Sequence, residues 1–296
     1  MLAGLALPPG VEAQFAVSSN DNRVMLDNGV VKVVPNPAPD TATVVDLRAS
    51  PPAVIATLEA GKGAAGVSIN RQGTLALVAN RAEGTVSVFT IQGKTVAPAG
   101  LVRVADDKSG PSHVAFTPDG KTALLTRDGD SMISILAVDG TKVEYTKRDL
   151  SAGLRPYGLD ISADGSVAVV ANIGRGGGDN DTVSVIDLRA TPIRVVETVT
   201  VGQTPEGIIL SPDGKLCAVQ VMNGSNKPRE SPFHAANGKL LLYRVEGTRL
   251  VPVAAAWVGH WSQGVAFSAD SRTIPPASAP PAPPAWRGEA EGEPSG

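Results

Sequence analysis

Six residues could together line a small polar cleft: Arg155, Tyr157, Glu206, His260, Trp261 and Gln263. A guanidinium such as that of Arg155 grips a carboxylate or phosphate through paired N–H donors. Glutamate and histidine can hold or move a proton, while tyrosine, tryptophan and glutamine supply flat faces and hydrogen bonds. The set suits a small polar or anionic ligand. Three members, Glu206, His260 and Arg155, could instead act as acid-base and charge-stabilising groups in a hydrolysis.

Other chemistries have weaker support. The three histidines, His113, His234 and His260, would mark a metal site only if they converged, which their spacing does not require. Asp128-Gly129-Asp130 and Asp179-Asn180-Asp181 could offer oxygen ligands to calcium, but neither completes a known loop motif, so no metal is expected. The glycine run 174–178 joins two strands and leads into no helix, and it reads as a flexible hairpin loop rather than a phosphate cradle. No GxSxG elbow occurs, and a single cysteine, Cys217, permits neither a CxxCH haem attachment nor an internal disulfide. Cys217 sits in an apolar run as an inert core residue, and no cofactor is expected.

What must position the six residues is a repeat. One phrase recurs from Gly66, His113, Gly158, Gly207 and Gly264, as in HVAFTPDG and GIILSPDG, at spacings of 47, 45, 49 and 57 residues. A second phrase fixes the register: residues 41–61 and 182–202 agree at 10 of 21 positions, at an offset of 141, three periods of 47. Each period contains four short runs, here called a, b, c and d. In the second unit they are 66–70, 74–80, 85–91 and 96–104, rich in Val, Ile, Thr and Leu and separated by turn residues. Four strands in a period of about 40 to 50 residues describe a β-propeller blade. A helix could not survive a Pro-Asp-Gly or Ala-Asp-Gly turn in every unit.

The run LVAN at 77–80, repeated as VVAN at 169–172 and more weakly as VSSN at 17–20, resembles the YVTN motif. With the S-P-D-G turn before it and the T-V-S-V-I-D-L strand after it, the chain is similar to bacterial YVTN-type propeller repeat proteins over roughly 14–274. That resemblance implies an all-β propeller. It leaves function open, because the superfamily holds lactonases, cytochrome and quinoprotein propellers and adhesive surface proteins.

About five blades are expected. The first enters at b (15–19) and continues through c (41–47) and d (54–59) without an a strand of its own. Four full units follow, then an a strand at 264–267 and the start of a b strand at 271–274. One reading is a truncated ring, since proteins resembling this chain usually have seven blades. The other is a five-bladed ring in which 264–267 completes the first blade and hides its edge. Residues 275–296 carry seven of the 24 prolines and read as a disordered tail. Residues 1–13 resemble the end of a secretory signal, without its charged start, or else a frayed terminus.

Strand alternation sorts the loops. The a-b and c-d turns share one face and are tight, whereas the insertions 21–40, 173–181 and 222–238 all fall on the b-c and d-a face. The residues just before each a strand lie on that same face, beside the central channel. One position before the anchor stand Ala65, Ser112, Tyr157, Glu206 and Gln263; three before stand Gly63, Gly110, Arg155, Thr204 and Trp261.

A net charge of -3 with 26 scattered basic residues gives no footprint for nucleic acid, and no apolar run reaches the roughly 18 residues of a membrane-spanning helix. With the signal-like residues 1–13, the sequence reads as an exported, periplasmic or secreted protein, expected as a monomer. Its leading function is a non-catalytic scaffold that binds a protein or small polar ligand on the loop-rich face. The alternative is a lactonase-like hydrolase at the channel mouth.

Overall fold

The computed structural model describes residues 15–27 and 30–274. The leader expected at 1–13 and the tail expected at 275–296 lie outside the described residues. Blade I contains β1 (Phe15–Asn20), β4 (Thr41–Asp46) and β5 (Ala53–Glu59), with a hairpin, β2 (Val24–Asp27) and β3 (Val30–Val33), inserted between its first two strands. Blade II is β6 (Ala64–Ile69), β7 (Leu75–Asn80), β8 (Thr85–Gln92) and β9 (Thr95–Arg103). Blade III is β10 (Pro111–Phe116), β11 (Thr122–Arg127), β12 (Met132–Asp139) and β13 (Lys142–Leu150). Blade IV is β14 (Pro156–Ile161), β15 (Val167–Asn172), β16 (Asp181–Asp187) and β17 (Arg194–Gly202). Blade V is β18 (Pro205–Leu210), β19 (Leu216–Val221), β20 (Gly238–Glu246) and β21 (Arg249–Val258). Within each blade, neighbours in sequence are antiparallel neighbours in the sheet, as a propeller requires. No helix among the described residues is long and apolar enough to cross a membrane.

The b strands explain why the blades stack. β7, β11, β15 and β19 are buried on both faces, so they read as nearly unbroken apolar runs rather than alternating ones. Period-2 geometry then divides each run between two neighbours. Leu75, Leu77 and Ala79 pack with Val114, Phe116, Ala123 and Leu125 of blade III, while Ala76 and Val78 pack with Ala42 and Phe15 of blade I. Blade III joins IV through Leu124, Ile133, Leu159 and Val170, and blade IV joins V through Val167, Val169, Cys217 and Val219. Cys217 is fully buried, as expected, and burial raises its thiol pKa.

The asparagine that ends the motif strand ties b to c. Asn80 Nδ2 donates to Thr85 Oγ1 and Ser87 Oγ at 2.9 Å each, and Asn172 Nδ2 to Thr182 Oγ1 and Ser184 Oγ at 3.0 Å each. Asn20 makes the same pair with Thr41 and Thr43. The motif is therefore a cross-strand clamp. Replacing Asn80, which is fully buried, with alanine removes both cross-strand bonds while Ser87 keeps the Gly61 amide and Thr85 keeps Glu83, and should destabilise the fold by about 2 kcal/mol in urea denaturation.

Two expectations need correction. The insertion 21–40 is not only loop, since it folds the β2–β3 hairpin; the Asp-Asn-Gly between its apolar runs is a hairpin signal. Residues 264–267 and 271–274, expected as strands, form none, although the turn between them closes with Ser268 N–H donating to Thr273 O at 2.8 Å. Blade I accordingly remains a three-stranded sheet, and no buried core among the described residues joins blade V to blade I. The five blades form an open arc.

Candidate functional site

The position three residues before each anchor has one backbone solution. Gly63, Gly110, Arg155, Thr204 and Trp261 have φ of 71°, 64°, 56°, 54° and 48°. Glycine enters this left-handed region freely, but a residue with a side chain is strained there by about 1 kcal/mol. Hydrogen bonds hold it. The carbonyls of Gly63, Gly110, Arg155 and Thr204 accept from Arg81, Asp128, Ile173 and Met222 at 2.8 to 3.0 Å. The amides of Arg155, Thr204 and Trp261 donate to Ser131 Oγ, Asp181 Oδ2 and Ser225 Oγ of the preceding blade.

This geometry delivers Arg155 to a buried carboxylate. Arg155 Nη2 and Arg81 Nη2 each lie 2.6 Å from Asp128 Oδ2, and Asp128 Oδ1 accepts from Arg81 Nε at 3.0 Å and Ser112 Oγ at 2.8 Å. Burial disfavours the Asp128 charge, but the two guanidiniums outweigh it and hold its pKa below the ordinary carboxylate range. Arg81 also lies over the Tyr157 ring, 5.8 Å from its centroid. Asp128 and Asp130, considered as calcium ligands, are occupied instead by Arg81 with Arg155 and by Arg127, respectively. The 174–178 loop, expected to be flexible, is pinned by Lys227 Nζ to Gly176 O at 2.8 Å and by the Phe233 ring against Gly178.

Beside this cluster is a cavity of about 320 Å³ lined by His113, Tyr157, Asp160, Glu206, Gln263 and the inner strands around them. Glu206 Oε1 accepts from Gln263 Nε2 at 2.9 Å. Burial raises the Glu206 pKa, with the Gln263 bond opposing; burial and then the charge of Glu206 raise that of Tyr157. Burial lowers that of His113, leaving a neutral imidazole. Among the described residues, the Tyr157 hydroxyl, Glu206 Oε2 and the His113 ring nitrogens have no hydrogen-bond partner. A larger hollow of about 550 Å³ lies between blades I and II, but there Asp40 and Glu83 already accept from the amides of Gly63 and Lys62.

Arg155, Tyr157, Glu206 and Gln263 thus share one electrostatic neighbourhood. His260 is exposed and meets Trp261 edge-on at 6.3 Å; no hydrogen bond or ion pair among the described residues links either to the other four. His113 and Asp128 were weighed only as metal ligands, and Arg81 and Asp160 were not singled out. A repeat signal existed for Arg81 and Asp128, which occupy the same place, one residue beyond the b strand, in blades II and III.

Asp160 stands where other blades carry Ser68, Ala115 and Ile209. Its oxygens accept from Ile161 N at 2.9 Å and Leu210 N at 2.7 Å, yet burial raises its pKa to about 6. Folded protein therefore binds this proton more tightly than unfolded chain, so its contribution is greatest below about pH 4 and is lost as pH rises through 6. Thermal unfolding between pH 7.5 and 5 should show wild type gaining about 1.4 kcal/mol relative to Asp160→Asn.

No family model matches the sequence, and no curated protein matches it. Solved structures do. The chain superposes on hydrazine synthase from Kuenenia stuttgartiensis with a TM-score of 0.63 and 22% identity, covering 79% of this chain and 66% of that one. A candidate 6-phosphogluconolactonase from Bacteroides uniformis gives 0.66 and 19%, covering 88% and 74%. The periplasmic gluconolactonase of Pseudomonas aeruginosa gives 0.55 and 19%, covering 75% and 65%. The chain spans just under two thirds of the hydrazine synthase and gluconolactonase chains that it matches. At these identities the shared property is the β-propeller fold.

Proposed function

We infer that this propeller binds a small, hydroxyl-rich polar ligand at the mouth of its central channel. The observation carrying this reading is the cavity in which Tyr157, Glu206 and His113 present unpartnered polar atoms beside Gln263. A sugar acid or sugar lactone matches such a mixture of donors and acceptors. The insertions at 21–40, 173–181 and 222–238 rim the same face and could add a protein partner. Arg155 is paired with Asp128, so it braces the wall beside the cavity rather than gripping a ligand anion or stabilising charge in a hydrolysis. The apolar stretch at 1–13 and the periplasmic structural neighbour support an exported protein, and the LVAN and VVAN runs support YVTN-type kinship.

A second reading, hydrolysis of a sugar lactone, is favoured by the raised pKa of Glu206, which suits a general acid or base. Titration calorimetry and a turnover assay with D-glucono-δ-lactone and D-gluconate separate the two. Binding of both without turnover is expected, weakened about tenfold or more in Glu206→Gln, the value of a hydrogen bond to a charged group. Turnover that vanishes in Glu206→Gln would establish the hydrolase instead.

A further inference from the structure

The channel-mouth cavity cannot admit a carboxylate on the same terms as a hydroxyl. Two carboxyl groups, Glu206 and Asp160, face it beside Tyr157, His113 and Gln263, and among the described residues no lysine or arginine lines it. The two cations next to it are engaged elsewhere. Arg81 Nη2 and Arg155 Nη2 each donate to Asp128 Oδ2 at 2.6 Å, Arg81 Nε donates to Asp128 Oδ1 at 3.0 Å, and Arg155 Nη1 donates to Gly174 O at 3.3 Å. Burial disfavours the Glu206 charge more than the Gln263 bond and the field of Arg81 favour it. His113, neutral through burial, brings no compensating charge, and the Tyr157 hydroxyl keeps its proton in neutral solution.

The two carboxyls are not equivalent. Asp160 is occupied, with Oδ1 accepting from Ile161 N at 2.9 Å and Oδ2 from Leu210 N at 2.7 Å. Glu206 accepts from Gln263 on Oε1 alone, so Oε2 is the carboxyl oxygen that a ligand meets. A hydroxyl donates to it directly. A second carboxylate held there cannot stay ionised beside the first; one of the pair takes a proton from solvent, and that proton then bonds the two oxygens together. The rest of the wall suits a ring. Leu159, Ile208 and Val265 give it an apolar surface for C–H groups, and its volume of about 320 Å³ is at the small end of ligand pockets.

Resting on the reading of this cavity as a sugar site, we propose that it selects an uncharged sugar ring over the corresponding sugar acid, the acid entering only with a proton shared between its carboxylate and Glu206. Binding of the acid is therefore linked to pH, weakening as pH rises. Binding of the ring is not.

Calorimetry of the full chain with D-gluconate and with 1,5-anhydro-D-glucitol, an uncharged ring that does not hydrolyse, tests this. Each titration is run near pH 6.5 in phosphate and in Bis-Tris, whose heats of ionisation differ, so the difference in binding enthalpy counts the protons exchanged. Gluconate should take up between about half and one proton, and its affinity should fall by up to about tenfold per pH unit above that. The ring should take up almost none and should bind more tightly than gluconate at pH 8. Proton uptake with gluconate should be lost in Glu206→Gln and kept in Asp160→Asn. Gluconate binding without proton uptake, uptake that survives Glu206→Gln or vanishes in Asp160→Asn, or gluconate binding more tightly than the ring at pH 8 would overturn the inference and leave a sugar site in place. Heat from neither ligand at any pH from 5 to 8 would overturn the sugar-site reading itself, and this inference with it.

Discussion

Asp128→Ala should lower the free energy of unfolding by about 3 kcal/mol, read as a reduced urea midpoint at unchanged slope. The carboxylate is 1% exposed and is the shared partner of Arg81, Arg155 and Ser112. Its removal leaves two guanidiniums facing each other. Their side chains are 43% and 36% exposed, so both can recruit water, which keeps the cost below that of stranding a fully buried cation. The sign with pH follows from the lowered pKa. Stability from Asp128 is present above the unfolded value of about 4 and is lost as pH falls through the folded one, so the gap between wild type and variant should narrow in acid. This trend opposes that of Asp160, and the two can be separated by comparing the single variants across the same pH range.

The second large effect is a contrast between equivalent glycines. Gly158→Ala would drive a methyl to 2.1 Å from Glu206 O, a backbone atom of the next blade, and should cost about 3 kcal/mol. Gly264→Ala meets open space in the single chain and should change stability by less than about 0.5 kcal/mol. Thermal melts of both variants at low protein concentration test this. Equal losses would mean that the anchor glycine serves its own strand rather than the stacking of blades.

The sequence showed the blades because their physics is local. A b strand buried on both faces needs a continuous apolar run, and LALVAN and VAVVAN provide it. The terminal asparagine marks where b meets c, since its amide must reach hydroxyls there. Arg155, Tyr157, Glu206 and Gln263 were legible because repeat positions map onto ring positions. Arg81 and Asp128 left only a shared repeat position, the first loop residue after b, and what unites them is a salt bridge between adjacent blades, which a repeat does not show. Asp160 gave a weaker sign, a carboxylate among apolar and small residues, whose meaning depends on the Leu210 amide of the next blade. His113 read as a glycine replacement; only the packing of blades II to IV shows that the exchange places an imidazole in the cavity. The strand pattern at 264–267 was legible too, but a pattern becomes a strand only when another strand pairs with it.

The central claim is that the channel mouth, between Tyr157, Glu206, Gln263 and His113, is where this propeller takes its ligand. A crystal structure of the protein soaked with D-gluconate tests it most directly. Density within hydrogen-bond distance of the Tyr157 hydroxyl and the Glu206 carboxyl is expected. Density confined to the hollow near Arg23 and Lys62, or none at a concentration that saturates the calorimetric signal, would contradict it.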